Sequence, residues 1–178
     1  MTFTSAKLAG VWLIELEPRI DERGFFARTF CKREFEAHGL NTQWVQSNLS
    51  RTMLRGIIRG LHWQAEPRAE VKLVRCDAGA IWDVVVDVQR ASPTFGHWEA
   101  YELTAENGRQ LYIPAGFAHG FQCLKDHSEV SYQMGEFYFS DLARGLRWND
   151  PTVGIMWPLA EPVLSERDRQ LPLLGELS

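Results

Sequence analysis

Hydrophobic and polar positions along the chain predict short β-strands almost throughout. Apolar or alternating runs are separated by glycine, proline and other turn residues, a pattern that is typical of a β-sandwich or barrel. The runs are Gly10–Leu16, Arg55–Gln64, Val71–Cys76, Ala80–Val88, Trp98–Leu103, Gln110–Ile113, Gly120–Leu124 and Val130–Tyr138. Strand and helix patterns do not alternate, so a doubly wound nucleotide-binding fold is poorly supported.

Two short segments carry a helical pattern. We expect Lys32–His38 to form one or two turns that end at Gly39, and Leu164–Arg169 to form a further turn. The pattern as a whole therefore predicts an all-β fold, a sandwich or barrel with short peripheral helices.

The run Ile81–Val88 indicates what the inside of such a barrel contains. Alternation places Asp83, Val85 and Asp87 on one face of this strand and apolar side chains on the other. Two carboxylates on one side of an otherwise apolar strand predict a partly polar lumen. A barrel of this kind has room for a ligand in its mouth.

Composition narrows the class of protein. The 178 residues, 45% of them hydrophobic, suffice for one core, so we expect residues 1–178 to form one domain. A net charge of −4 disfavours nucleic acid as a partner. Three dispersed cysteines fit reduced thiols. Without a signal-peptide pattern or a long apolar run, we expect a cytoplasmic protein with no membrane partner.

The segment Arg59–Gln64 places an arginine and a histidine in a strand that is otherwise typical of a buried one. Buried polar groups need partners, and the presence of Arg59, with Lys72 nearby in the sequence, argues against a purely structural histidine. Strict alternation puts Arg59 and His62 on opposite faces. Their joint use therefore requires a bulge or twist at Gly60.

A second histidine, His119, follows the proline- and glycine-bearing turn in Ile113–Phe121, where a barrel rim would place a ligand-binding residue. A cupin-like metal site would have to draw on His62, Gln64, Glu70 and His119. Glutamine is a poor metal ligand, and Lys72 would repel a divalent ion. We therefore favour chemistry without a metal, and keep a metal-dependent enzyme as an alternative.

Three other side chains are candidates with ordinary structural alternatives. Tyr132 and Tyr138 lie six residues apart, hence on one face if their strand is regular. Asp168 stands in a polar tail and is a surface residue by default, unless the fold brings it to His62. Dinucleotide, P-loop and nucleophile-elbow motifs are absent from the sequence, so hydride transfer, phosphoryl transfer and serine hydrolysis lose their main signatures.

Taken in order, a set of short segments resembles the dTDP-4-dehydrorhamnose 3,5-epimerase family from about Gly10 to Asp168. Each segment is weak alone, and the ordered set is specific. The segments are Asp21–Phe26, Gln46–Ser50, Arg59–Gln64, Val71–Val74, Asp83–Asp87, Ser92–Gly96, Ile113–Phe121, Trp148–Pro151 and Leu164–Asp168.

The resemblance implies a cupin-type jelly roll that forms a homodimer through swapped N-terminal strands. It also implies cofactor-independent epimerisation beside the C4 ketone of a nucleotide-linked 4-keto-6-deoxyhexose. In that reaction His62 would be the base, oriented by Asp168, and Tyr132 the acid on the opposite face of the sugar ring. Lys72, assisted by His119, would face the enolate oxygen.

The same resemblance assigns the nucleotide side of the site. Arginines and amides would hold the diphosphate, aromatic rings would stack on the base, and a further arginine would contact the ligand. The residues so assigned are Arg23, Arg59, Gln46 and Asn48 for the diphosphate, Phe26 and Tyr138 for the base, and Arg167. Arg23 and its neighbours would reach the partner subunit's site.

Two positions depart from the family pattern. Arg28, itself a candidate substrate-binding residue, stands where the family usually has a glutamate near the nucleoside, and Ala143 stands at the place of a second glutamate. Both changes remove acceptors from the nucleoside end of the site, which suggests a base other than thymine, as in a CDP-linked sugar. Epimerisation at C3 or C5 alone and a non-enzymatic sugar-binding module are further alternatives.

Overall fold

The structure, a computed structural model, describes residues 1–177. Its helical elements are α1 (Lys32–Ala37), α2 (Glu166–Arg169) and a 3₁₀ turn at Leu174–Glu176. Its strands are β1 (Thr2–Ser5), β2 (Trp12–Glu15), β3 (Arg19–Asp21), β4 (Gly24–Phe26), β5 (Gln46–Thr52), β6 (Ile58–Gln64), β7 (Lys72–Ala78), β8 (Ala80–Asp87), β9 (Trp98–Thr104), β10 (Arg109–Ile113), β11 (Phe117–Cys123), β12 (Ser128–Met134) and β13 (Ala143–Gly145).

Two antiparallel sheets build the molecule. The six-stranded sheet has the order β1-β2-β10-β7-β12-β5, the five-stranded sheet has the order β13-β6-β11-β8-β9, and β3 and β4 form a separate hairpin. The predicted all-β fold with short peripheral helices is confirmed, and each of the eight predicted strands is present. The pattern missed β1, β3, β4, β5 and β13.

The main core lies between the two sheets. Val74 of β7 and Val85 of β8 pack there, whereas Val84 and Val86 pack on the other side of β8, under the C-terminal segment. Asp83 points the same way as Val85 and is fully buried, with 0% of its surface exposed. The predicted alternation along β8, with carboxylates on one face, is therefore confirmed.

A bulge in β6 lets Arg59 and His62 serve the same side of the sheet. His62 pairs with His119 and Arg59 pairs with Phe121, so three steps along β6 match two along β11. Gly60 stands at this bulge with φ +115°, and a Cβ there would lie 2.7 Å from the Cα of the facing glycine on β11. The irregularity that the sequence required at Gly60 is present.

Helices in this fold are too short to reach across a membrane. Within residues 1–177, no helix has the length and apolar character of a membrane span.

Candidate active site

One cavity of about 750 Å³ opens between the two sheets and collects most of the predicted site residues. Its wall includes residues from β5, β6, β7, β11 and β12, together with α2. The predicted residues on this wall are Gln46, Asn48, Arg59, His62, Lys72, His119, Tyr132, Tyr138, Arg167 and Asp168.

His62 and Asp168 form a hydrogen-bonded pair although they lie 106 residues apart in the sequence. His62 Nε2 is 2.7 Å from Asp168 Oδ1, and the other carboxylate oxygen, Oδ2, accepts the Gly60 N–H at 3.2 Å. Ser165 caps α2 by accepting the Asp168 N–H at 3.1 Å, which fixes where this short helix begins. The fold thus brings to His62 the carboxylate that the sequence alone left on the surface.

The state of this pair decides which imidazole nitrogen is free. Burial raises the pKa of Asp168, but the hydrogen bond and charge of His62, with the Gly60 and Ser165 contacts, outweigh it and leave the pKa below its ordinary value. Asp168 is therefore an ionised acceptor, and the proton between the two groups belongs to His62 Nε2. Nδ1 remains available as a base, and 40% of the His62 side chain is exposed.

Lys72 and His119 are each paired with a buried carboxylate. Lys72 Nζ is 2.7 Å from Glu70 Oε1 and donates to the backbone carbonyl of His62 at 3.3 Å. His119 Nε2 is 2.6 Å from Asp83 Oδ1. Because these side chains are almost fully buried, the two pairs hold their nitrogens at fixed places in the cavity wall.

Tyr132 lies on β12, which is flanked by β7 and β5, and its neighbours across the strands are Val74 and Asn48. Burial raises the pKa of the Tyr132 phenol, while the nearby Arg59 lowers it and Glu70 raises it. The phenol therefore stays protonated at neutral pH and can donate a proton.

Tyr138 corrects one expectation. The strand β12 ends at Met134, so Tyr138 does not share a regular strand face with Tyr132. It lies beyond the strand, 52% exposed, where its backbone N–H donates to Gln46 Oε1 at 3.2 Å. Tyr138 still reaches the cavity wall, from its rim.

The side chains considered for a metal site form hydrogen bonds or ion pairs with other protein groups. The Gln64 side-chain oxygen accepts the Phe139 N–H at 2.7 Å, and its amide nitrogen donates to the carbonyls of Arg68 and Phe137. The other candidates, His62, Glu70 and His119, are paired with Asp168, Lys72 and Asp83. Within residues 1–177, no group of three or more His, Cys, Asp and Glu side chains is arranged to hold a metal ion.

Three predicted residues lie outside this cavity. Arg23 and Phe26 belong to the β3–β4 hairpin, where Arg23 pairs with Asp21 at 2.5 Å and Phe26 is 73% exposed. Arg28 follows the hairpin and donates to Glu34 at 2.7 Å. The single chain does not bring these side chains to His62, and their assignment to a substrate stays a prediction.

Sequence reasoning missed two contributors, Asp83 as the partner of His119 and Glu70 as the partner of Lys72. Asp83 was expected in the lumen without a partner, and Glu70 was considered only as a metal ligand. A signal for the Glu70 pair exists, because side chains two residues apart on an extended segment share a face.

Comparison with known proteins decides the family. The model of a family described as dTDP-4-dehydrorhamnose 3,5-epimerase matches residues 5–176. The chain belongs to this family. A curated dTDP-4-dehydrorhamnose 3,5-epimerase from Shigella flexneri is 48% identical to this family member over 155 residues, 85% of either protein.

Solved structures of epimerases share the fold. A dTDP-6-deoxy-D-glucose-3,5-epimerase from Legionella pneumophila, in complex with dTDP-4-keto-L-rhamnose, has a TM-score of 0.94 at 37% identity, covering 99% of this chain and 94% of that chain. A 3′-monoepimerase from Streptomyces bikiniensis, in complex with dTDP-quinovose, has a TM-score of 0.90 at 34% identity, covering 96% and 86%. The predicted family and its cupin-type jelly roll are confirmed.

Proposed function

We propose that this family member converts dTDP-4-dehydro-6-deoxy-D-glucose to dTDP-4-dehydro-L-rhamnose by inverting C3 and C5. The observation that carries the proposal is the single cavity that brings together the His62–Asp168 pair, Tyr132 and Lys72. These are the groups that proton removal beside a ketone needs, a base, an acid and a cation.

The reaction begins with proton abstraction by His62. Its Nδ1 takes the proton from the carbon beside the C4 ketone, and the ionised Asp168 stabilises the imidazolium that forms. The electron pair of the broken C–H bond moves onto the carbonyl oxygen and gives an enolate. The Lys72 ammonium, assisted by His119 of the same cavity wall, faces that oxygen and stabilises its charge.

Inversion requires that a proton return to the opposite face of the ring. Tyr132 is held on the six-stranded sheet, whereas His62 stands on the five-stranded sheet. A sugar ring between the two sheets would therefore meet the imidazole on one face and the phenol on the other. Because the ketone already present in the substrate accepts the electron pair, this route needs neither a metal nor a nicotinamide.

In this proposal the nucleotide part of the substrate lies at the rim of the cavity. Arg59 and Arg167 can hold the diphosphate through their planar guanidinium groups, together with Gln46 and Asn48. Tyr138, exposed at the rim, can stack on the base. Relatives named for dTDP sugars support dTDP as the carrier. Calorimetric titration with dTDP and with CDP tests this choice of nucleotide. Tighter binding of CDP would favour a CDP-linked sugar as the substrate.

A homodimer would complete the site. The β3–β4 hairpin exposes apolar side chains, with Ile20 at 79%, Phe25 at 67% and Phe26 at 73%, and such a surface favours a protein partner. In this proposal the hairpin carries Arg23 and Phe26 into the partner subunit's cavity. The protein would act in the cytoplasm, where nucleotide sugars are made.

Subunit complementation tests the shared site. Arg23→Ala and His62→Ala should each be inactive as pure dimers. After mixing and exchange of subunits, one of the two sites in each heterodimer is intact, and about a quarter of wild-type activity should return. A mixture that stays inactive despite confirmed subunit exchange would contradict a site built from two chains.

The reaction itself is tested in D₂O with dTDP-4-dehydro-6-deoxy-D-glucose, followed by NMR. Deuterium at both C3 and C5 with an inverted product is the expected result. The structural likeness to a 3′-monoepimerase makes epimerisation at C3 alone the second candidate, and it predicts label at C3 only. If neither C3 nor C5 takes up deuterium, epimerisation of this substrate is refuted.

A further inference from the structure

Glu70, which has no part in the mechanism above, holds the ammonium of Lys72 in place. Its Oε1 lies 2.7 Å from Lys72 Nζ, and the two side chains are 4% and 11% exposed. The second contact of Nζ is the carbonyl of His62 at 3.3 Å. Glu70 also lines the cavity, so the pair belongs to the site and not to the outer surface.

Stability of the fold does not account for Glu70. Its second oxygen, Oε2, is buried and has no hydrogen-bond donor within residues 1–177. A buried carboxylate oxygen without a donor is costly, and a buried ion pair often stabilises a protein no more than apolar side chains of similar size would. A pair kept at such a cost inside a catalytic cavity points to a role in the reaction.

The pairing of a cavity-lining basic side chain with a carboxylate occurs three times. His62 is backed by Asp168, His119 by Asp83, and Lys72 by Glu70. In each case a largely buried carboxylate pairs with one nitrogen of a side chain that lines the cavity. Lysine needs such a partner most, because its ammonium sits on a flexible four-carbon stem.

We propose that Glu70 is a positioning residue for the reaction, which fixes the Lys72 ammonium where the enolate oxygen develops. The inference rests on the proposed function, in which that ammonium faces the C4 carbonyl. A cation stabilises a transition state most when it is already in place and need not reorganise. Glu70 thus acts on the chemical step through Lys72, without touching the substrate.

Turnover of Glu70 variants tests the role. Glu70→Ala should lower kcat by about 10²–10³-fold with KM within about threefold of wild type, as expected when one preorganised donor is lost. Glu70→Gln keeps an oxygen for the ammonium and should lose only about tenfold, because a hydrogen bond to a neutral acceptor is weaker. Glu129→Gln, which removes a carboxylate paired with Arg51 at 3.1 Å outside the cavity, is the matched control and should keep wild-type kcat.

A double-mutant cycle distinguishes positioning from a general structural effect. If Glu70 acts through Lys72, Lys72→Ala and the double variant Glu70→Ala/Lys72→Ala should have the same kcat. All variants should bind dTDP as wild type does, which shows that they are folded. Losses that multiply in the double variant, or wild-type kcat in Glu70→Ala, would overturn the proposal.

NMR of protein labelled with ¹⁵N-lysine separates this inference from the proposed function. A buried, paired ammonium exchanges its protons slowly, so a Lys72 Nζ signal should be visible in wild type and in Glu129→Gln and should disappear in Glu70→Ala. Wild-type protein that turns over no sugar would refute the function alone. A Lys72 signal unchanged in Glu70→Ala would refute the positioning, whatever the activity.

Discussion

Replacing Asp168 by asparagine removes one charge from the site and leaves its shape nearly unchanged. The two carboxylate oxygens have separate tasks, since Oδ1 faces His62 Nε2 at 2.7 Å and Oδ2 accepts the Gly60 N–H at 3.2 Å. An asparagine must give its only oxygen to one of them. The Gly60 N–H can bond only to an acceptor, so the asparagine oxygen stays with Gly60 and its NH₂ group turns to His62.

The consequence for His62 is a change of tautomer. Facing an NH₂ donor, Nε2 must accept, and the imidazole proton moves to Nδ1, the nitrogen that has to be free to act as the base. The imidazolium that forms on proton abstraction also loses its counter-charge. General-base catalysis contributes about 10²–10⁴-fold, so kcat of Asp168→Asn should fall by about that factor.

The assay is deuterium incorporation from D₂O together with the rate of product formation. Binding of dTDP should stay within about threefold of wild type, because the assigned diphosphate contacts come from other residues. Glu166→Gln is the matched control in the same helix. Among residues 1–177 the Glu166 carboxylate accepts a side-chain hydrogen bond only from the exposed Gln170, and Glu166 lies outside the cavity wall. Asp168→Asn with kcat within threefold of wild type would refute the tautomer argument.

Three other predictions follow from the same geometry. Tyr132→Phe should lower the rate of epimerisation by about 10²–10⁴-fold, while His62 still exchanges the substrate proton with solvent. If the rate of proton exchange falls by the same factor as the rate of epimerisation, this separation of roles is contradicted. Gly60→Ala should destabilise the fold by about 2–4 kcal/mol in urea unfolding, because φ is +115° and its Cβ would lie 2.7 Å from backbone; an unchanged midpoint contradicts the bulge. Since the pKa of Asp168 is lowered in the folded protein, its contribution to stability is present above the ordinary value of 3.8 and is lost as pH falls through the lower folded value. The difference in unfolding free energy between wild type and Asp168→Asn should therefore shrink below pH 3.8, and a difference that grows there contradicts the sign.

The residue pattern predicted β6, β7 and β12, which carry site residues among apolar ones, but missed β5, whose inward side chains are all polar. On β5, Gln46, Asn48 and Ser50 point inward and Leu49 points outward, 65% exposed. This reverses the usual hydrophobic alternation, because those polar side chains line the cavity. A strand whose inward side chains are all polar, such as β5, therefore lacks the hydrophobic alternation by which the other cavity-lining strands were predicted.

The site could be predicted in part because its chemistry is local to short segments. The polarity of Arg59–Gln64 indicated both a buried site and the irregularity at Gly60. The approach of Asp168 to His62 could not follow from any local pattern, because it depends on where α2 docks after 106 intervening residues. That contact came from family resemblance, and the pairing of Glu70 with Lys72 came only from the structure.

In the proposed reaction, the distribution of charge in the cavity would orient the substrate. Among the buried side chains of the site, the positive charge of Lys72 is neutralised by Glu70. The carboxylates of Asp83 and Asp168 are each paired with a histidine. Towards the rim, Arg59 and Arg167 line the wall without an ion pair among residues 1–177. A diphosphate is attracted to those guanidinium groups by its charge, whereas a neutral sugar lacks that attraction. In the proposed complex the nucleotide would therefore lie at the rim, with the ketone among the acid and base pairs behind it.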